Sequence, residues 1–276
     1  MLPLLVAILL QTRFAAPDAA LATAALASPR PRECRGVAGE DGLWSRLRGA
    51  DAQRYCELLA RGYARLQETP REAFAAAQAA EALAGARPAV RVLSGRALMR
   101  LDQSGTAFEQ FAQAEAQDAQ AFVDPKALHD YARAASLSGK SAQALRLYRL
   151  LMSRLALLDD AREAAFVQIE AAAHVLAATP GAAGTDEALG YLAQARREAL
   201  GLSVWLDGLR LLALERSGRA EPNAARSGVP SLAALDAALA APSGAAKGSL
   251  PLLPPGMLEA IRGAFTAPPP RKANAR

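Results

Sequence analysis

Four times along this chain a small residue is followed, four positions later, by an apolar or aromatic one. Ala73 leads to Ala77 and Ala80, Ala107 to Phe111 and Ala114, Ala144 to Tyr148 and Leu151, and Ala188 to Leu192 and Ala195. A third member comes three positions after the second, and it is small in all but the Tyr148 segment, where Leu151 fills the place. Spacings of four and three put all three side chains on one face of an α-helix. The first two segments are offset by 34 positions, from Ala73 to Ala107, and the next pair by 37, from Ala107 to Ala144. Each segment is preceded by a helical stretch with its own small residue. Gly95 and Leu98 precede Ala107, and Ala132 and Ala135 precede Ala144. A recurring helix–turn–helix unit of this length is the signature of a helical repeat array. The small residues let two helices of a pair approach, and the Phe or Tyr fills the gap toward the next pair. An ordinary alanine-rich bundle is the simpler alternative, and it has no reason to show the recurring offset.

The breaks between these segments carry helix-start chemistry. Thr69-Pro-Arg-Glu72 places Thr69 as an N-cap, Pro70 at the first helical position and Glu72 to close a capping box. Thr106 and Ser141 are expected to cap the helices after Asp102-Gln-Ser-Gly and Ser138-Gly-Lys. Pro88 and Pro125 each open a helix, where a missing N–H costs nothing. Ala178–Thr185, with Pro180, Gly181 and Gly184, reads as a longer loop before a helix starting at Thr185-Asp-Glu. Asp159-Asp160 reads as an acidic helix start rather than a carboxylate pair. No β pattern of useful length appears, and aromatic residues are only 5% of the chain.

On these residues the chain resembles the tetratricopeptide repeat (TPR) family over roughly Arg54–Leu200, as four degenerate units. A decayed fifth follows at Ser203–Glu221, with Trp205, Gly208 and Leu211 in its first helix and Pro222 and Gly228 breaking its second. The family's aromatic near the start of the first helix is missing from most units, and its closing proline is displaced. The resemblance implies an all-α superhelical array of antiparallel helix pairs, a TPR-like α-solenoid, with a partly irregular C-terminal segment. It also implies a concave groove lined by first helices, which binds a protein or peptide. Carried over position by position, the groove residues are Val92, Arg96 and Arg100 in the second unit and Lys126, His129 and Arg133 in the third. Charges four apart share a helix side, so such a groove would suit carboxylates on an acidic partner. The asparagines of a chaperone-type clamp are absent from the matching places. The alternative is a solvated basic face offset by acids such as Asp130.

Four segments follow from composition. Residues 1–27 read as a signal peptide or uncleaved anchor: Met1–Leu10 is a short apolar run, and small-x-small sites follow at Ala20–Ala22 and Ala25–Ala27. The run is short for a transmembrane helix, and no Lys or Arg precedes it. Residues 28–50 form an irregular lead-in, 51–220 the helical repeats, and 221–276 short helices, a Pro/Gly-rich linker and a basic tail from Pro268. A periplasmic or otherwise exported location is expected, with the uncleaved segment as an anchor otherwise. In an oxidising compartment Cys34 and Cys56 could pair, tying the stretch Pro29–Gly42 to the first helix and stabilising by roughly 3 kcal/mol. Otherwise they remain two separate thiols.

The chain carries no phosphate loop, nucleophile elbow, H-E-x-x-H or C-x-x-C. No catalytic residue, metal site or cofactor is expected, and His129 and His174 are the only histidines. The net charge of +5 permits an acidic partner, but no basic tract with interleaved aromatics suggests nucleic acid. The expected function is an exported scaffold that binds a protein partner. Two alternatives are an envelope enzyme or enzyme subunit, with a site between the repeats and the C-terminal segment, and a structural subunit of an envelope assembly, recruited through the Trp205 helix and the tail.

Overall fold

The computed structural model describes residues 32–34, 49–179, 181–198 and 203–216, together with Leu253 and Met257. Among them are nine α-helices and no strand. They are α1 (Gly49–Arg65), α2 (Pro70–Ala84), α3 (Pro88–Arg100), α4 (Ser104–Gln117), α5 (Pro125–Leu137), α6 (Ser141–Met152), α7 (Ala161–Ala178), α8 (Ala182–Glu198) and α9 (Ser203–Arg216). Single 3₁₀ turns lie at Arg32–Cys34 and Leu155–Leu157. The leader, most of the lead-in, the Trp205 side chain, the broken second helix of the fifth unit, most of the segment 221–276 and its basic tail lie outside the described residues.

The chain divides into two compact units between Ala127 and Leu128, inside the first turn of α5. In the first unit α1 packs on α2, α2 on α3, and α3 on α4, and α1 also touches α3. Its core holds Tyr55, Leu59, Ala73, Ala77, Val90 and Leu93. In the second unit α6 packs on α7, α7 on α8, and α8 on α9, and α7 also touches α9. Ile169, Leu176, Leu192 and Leu209 form its core, which Met257 joins and Leu253 flanks.

All twelve residues of the four recurring triplets are buried, none more than 2% exposed. That burial is the reason for the pattern: a helix needs one apolar stripe against its neighbours. The close approach is visible where α3 meets α4. A β-carbon on Gly95 would fall 2.6–2.9 Å from three atoms of the Phe111 ring. Phe111 therefore packs against its own partner helix, and it also meets the Phe122 ring edge-on at 5.7 Å. Tyr148 instead reaches forward to α7, as expected for a residue filling the gap to the next pair.

The helix starts differ from expectation in instructive ways. Pro70, Pro88 and Pro125 do open their helices. Thr69 is the N-cap of α2, but its hydroxyl makes no capping bond and no capping box forms. Glu72 lies 3.7 Å from Arg65, and its N–H is taken by the Thr69 carbonyl. Thr106 lies inside α4, which Gln103 precedes, and Lys140 rather than Ser141 stands at the N-cap of α6. Asp160 is a true cap, accepting the Arg162 N–H at 2.8 Å. The expected loop before α8 shrinks because α8 starts at Ala182, so Gly184 and Thr185 are helical. The Thr185 hydroxyl donates to the Gly181 carbonyl, satisfying a group that would otherwise favour a turn. Gly181 itself has φ 98°, where a glycine is favoured.

Gly95→Ala is expected to destabilise the protein by about 1–2 kcal/mol, because overpacking against a buried ring outweighs alanine's helix propensity. Gly190, exposed within α8 with open space at its β-carbon, should show the opposite sign, with Ala stabilising by about 1 kcal/mol. Denaturant melts of the two variants check the contrast.

Candidate functional site

The densest polar arrangement among the described residues surrounds one carboxylate. Helix α7 is buried nearly all round, from Ala164 to Leu176, and Glu170 sits in the middle of it with no exposed surface. An isolated buried carboxylate is prohibitively costly, and three side chains converge on this one. Arg133 of α5 donates to Oε1 through Nη2 at 2.6 Å, and its Nε lies 3.1 and 3.2 Å from the two oxygens. His129, one turn earlier on α5, brings Nε2 to 2.7 Å from Oε2. Tyr148 of α6 donates its hydroxyl to Oε2 at 3.0 Å. An ionised carboxylate only accepts hydrogen bonds, so His129 Nε2 carries a hydrogen.

The electrostatics follow from this geometry. Burial pushes the Glu170 carboxyl up, but Arg133 and His129 outweigh it and hold the group well below the usual carboxylate range. Burial, and then the adjacent Glu170 charge, push the Tyr148 hydroxyl far up, so it stays a donor. A second layer continues the network. Tyr148 stacks on His174 at 4.8 Å between ring centres. His174 Nε2 lies 2.9 Å from Ser136 Oγ on α5. Glu163 Oε1 lies 3.7 Å from His129 Nδ1. Burial pushes His174 down to about 4, against the opposing pull of Glu170.

Both Glu170 oxygens are fully engaged by the protein, so the cluster ties α5, α6 and α7 together rather than presenting a reactive group. Among the described residues no group of three His, Cys, Asp or Glu side chains could hold a metal ion.

The six groove residues predicted from the sequence fall into two classes. Val92, Arg96 and His129 are buried, and Arg133 is largely covered. Arg96 pairs with Asp124 at 3.2 Å and stands 5.9 Å over the Tyr63 ring. His129 and Arg133 serve Glu170. The two guanidinium charges are thus directed at internal partners. Arg100 is half-buried and donates through Nε to Gln67 at 3.3 Å, and Lys126 is exposed. Asp130 is buried, so it does not offset a solvated basic face. Sequence reasoning missed Glu170. The signal was there: a carboxylate inside the apolar run Ala164–Leu176 must find cations or donors on neighbouring helices.

A smaller polar contact lies at the start of the first unit. Cys34 and Cys56 are disulfide-bonded, with Cα atoms 5.7 Å apart. The neighbouring Tyr55 hydroxyl donates to the Glu33 carboxylate, which lies 3.6 Å from Arg87 Nε.

The chain matches no protein-family model, no curated protein and no solved structure.

Glu170→Gln should cost about 3–5 kcal/mol, because it leaves the Arg133 guanidinium buried without its counter-charge. Adding Arg133→Met should return part of that loss, as chemical melts of the single and double variants would show. His174 gives a separate pH signature. The native state holds it neutral down to about pH 4, whereas the unfolded chain protonates below about 6.5. Its stabilisation is therefore complete above pH 6.5 and is lost between 6.5 and 4, on the order of 3 kcal/mol. Unfolding free energies of wild type and His174→Gln across that window should diverge in slope, with the variant flatter. Loss of the Glu170 contribution belongs to lower pH, below the carboxylate range of the unfolded chain.

Proposed function

We propose that the protein is a TPR-like array whose helix pairs form a scaffold for a protein or peptide partner. The observation that carries this reading is the burial of all twelve triplet residues, together with contacts between alternate helices. α1 touches α3, α7 touches α9, and α5 reaches α7 through the Glu170 cluster. Repeats that cannot bury their apolar faces alone stack in this way, and such stacks expose long surfaces suited to recognition rather than chemistry. The export reading rests on the apolar leader of the sequence and on the disulfide, which suits an oxidising compartment. Among the described residues no helix is long and apolar enough to cross a membrane.

The internal pairing changes which basic residues can meet an acidic partner. Arg96 and Arg133 are held by Asp124 and Glu170, so reversing their charge tests the fold. Arg100, half-buried, and Lys126, exposed, are the members of the predicted set that solvent reaches most. A photo-crosslinking side chain placed at Arg100 or Lys126 in the cell envelope should capture one discrete partner. The same probe at Gln78 or Glu109, exposed on second helices, should not. Arg100→Glu with Lys126→Glu should weaken that capture at least about tenfold, the equivalent of roughly 1.4 kcal/mol. Equal capture from both helix types would remove the first-helix surface from the reading.

A further inference from the structure

Glu33 reaches the first unit from outside its helix pairs. It belongs to the short turn Arg32–Cys34, and its carboxylate meets Tyr55 of α1 and Arg87, the residue before α3. Tyr55, with no exposed surface, donates to it, and Arg87, 15% exposed at its side chain, stands 3.6 Å away. An aromatic hydroxyl and a guanidinium converging on one carboxylate make a recognition site of the kind that captures acidic side chains and peptide C-termini. The occupant is the chain's own residue. The adjacent residues, Cys34 and Cys56, are covalently joined across a separation of 22 positions. The disulfide therefore holds Glu33 beside Tyr55 at a high effective concentration.

We infer that Tyr55 and Arg87 form a carboxylate-binding site, occupied by Glu33 while the Cys34–Cys56 disulfide is intact and opened to an external carboxylate when a dithiol reduces that bond. In that exchange the dithiol becomes its own disulfide, and two electrons and two protons pass to the sulfurs of Cys34 and Cys56. Glu33 is then no longer tied through Cys34 to the residue after Tyr55, and departure of the Arg32–Cys34 turn breaks no described helix of the unit. Vacating the site leaves a buried hydroxyl without its acceptor, a defect that an incoming carboxylate repairs. The site lies wholly in the first unit and does not depend on the reading of the helix pairs as an array.

The test uses the full chain. Glu33→Ala with the disulfide intact leaves a carboxylate-sized gap, and its Tm should fall by about 5 °C. Sodium acetate, but not sodium chloride at equal ionic strength, should recover at least half of that fall while leaving wild type unmoved. If the variant does not fold in chloride, recovery of its helical signal in acetate is the same readout. Acetate that acts equally on wild type, or still rescues Glu33→Ala/Tyr55→Phe/Arg87→Met, means an adventitious ion only and overturns the site. For the gate, fluorescein-labelled triglutamate should bind the dithiol-reduced wild type at least about tenfold more tightly than the oxidised chain. Equal affinity, or loss of helical signal on reduction, makes the disulfide a simple staple and overturns the gate.

Discussion

The Phe111 ring lies where a β-carbon on Gly95 would have to be, and that contact sets how near α3 and α4 can lie. Small residues recur at the matching positions of the other second helices. Ala73, Ala107, Ala144 and Ala188 occupy equivalent places on second helices, and all are fully buried. Side chains this small give each pair little apolar area, so close packing must supply the contacts. The larger residues at the middle positions then do different work. Phe111 fills space within its own pair, whereas Tyr148 turns its hydroxyl toward the next helix.

That hydroxyl leads to the densest departure from apolar packing among the described residues of the second unit. Glu170 joins α5, α6 and α7 through donors from His129, Arg133 and Tyr148. A carboxylate buried this deeply is not a cheap source of stability, since its desolvation offsets much of the attraction. Its geometry is demanding, however. Slipping α5 by one residue would remove both His129 and Arg133, which sit one turn apart. The cluster therefore fixes the register of α5 on α7 in a helix set whose alanine-rich faces would tolerate several.

The same geometry reassigns most of the basic residues. Arg96 is spaced from Arg100, and His129 from Arg133, as charges on one helix face would be, yet Arg96 meets Asp124, and His129 and Arg133 meet Glu170, each an acid of the same unit. Arg87 meets Glu33 in the same manner. Basic character in this chain serves internal carboxylates as well as any partner. The Tyr55–Arg87 contact differs in one respect, because its acid arrives on a short turn held by a disulfide rather than on a packed helix.

The triplets in the sequence were enough to place the second helices and their buried faces, since periodicity encodes which side of a helix loses water. Prolines at the first turns likewise located the starts of α2, α3 and α5, because their fixed geometry is a local property. Caps were less legible. Thr69, Thr106 and Ser141 have the right chemistry, but hydroxyl orientation and helix extent depend on what packs against the first turn, and α8 runs through a glycine that reads as a breaker. The division between Ala127 and Leu128 leaves no mark in composition. Burial of Arg96, His129 and Arg133 was invisible for a different reason: helical spacing places Arg96 with Arg100 on one face of α3 and His129 with Arg133 on one face of α5, but only the packed fold reveals whether each face meets water or an acid, Asp124 for the first and Glu170 for the second. The sequence by itself determined that the chain builds helix pairs with small-residue contacts. Tertiary structure decided which charges stay inside, because pairing across 28 to 41 positions is set by how helices stack and not by any local preference.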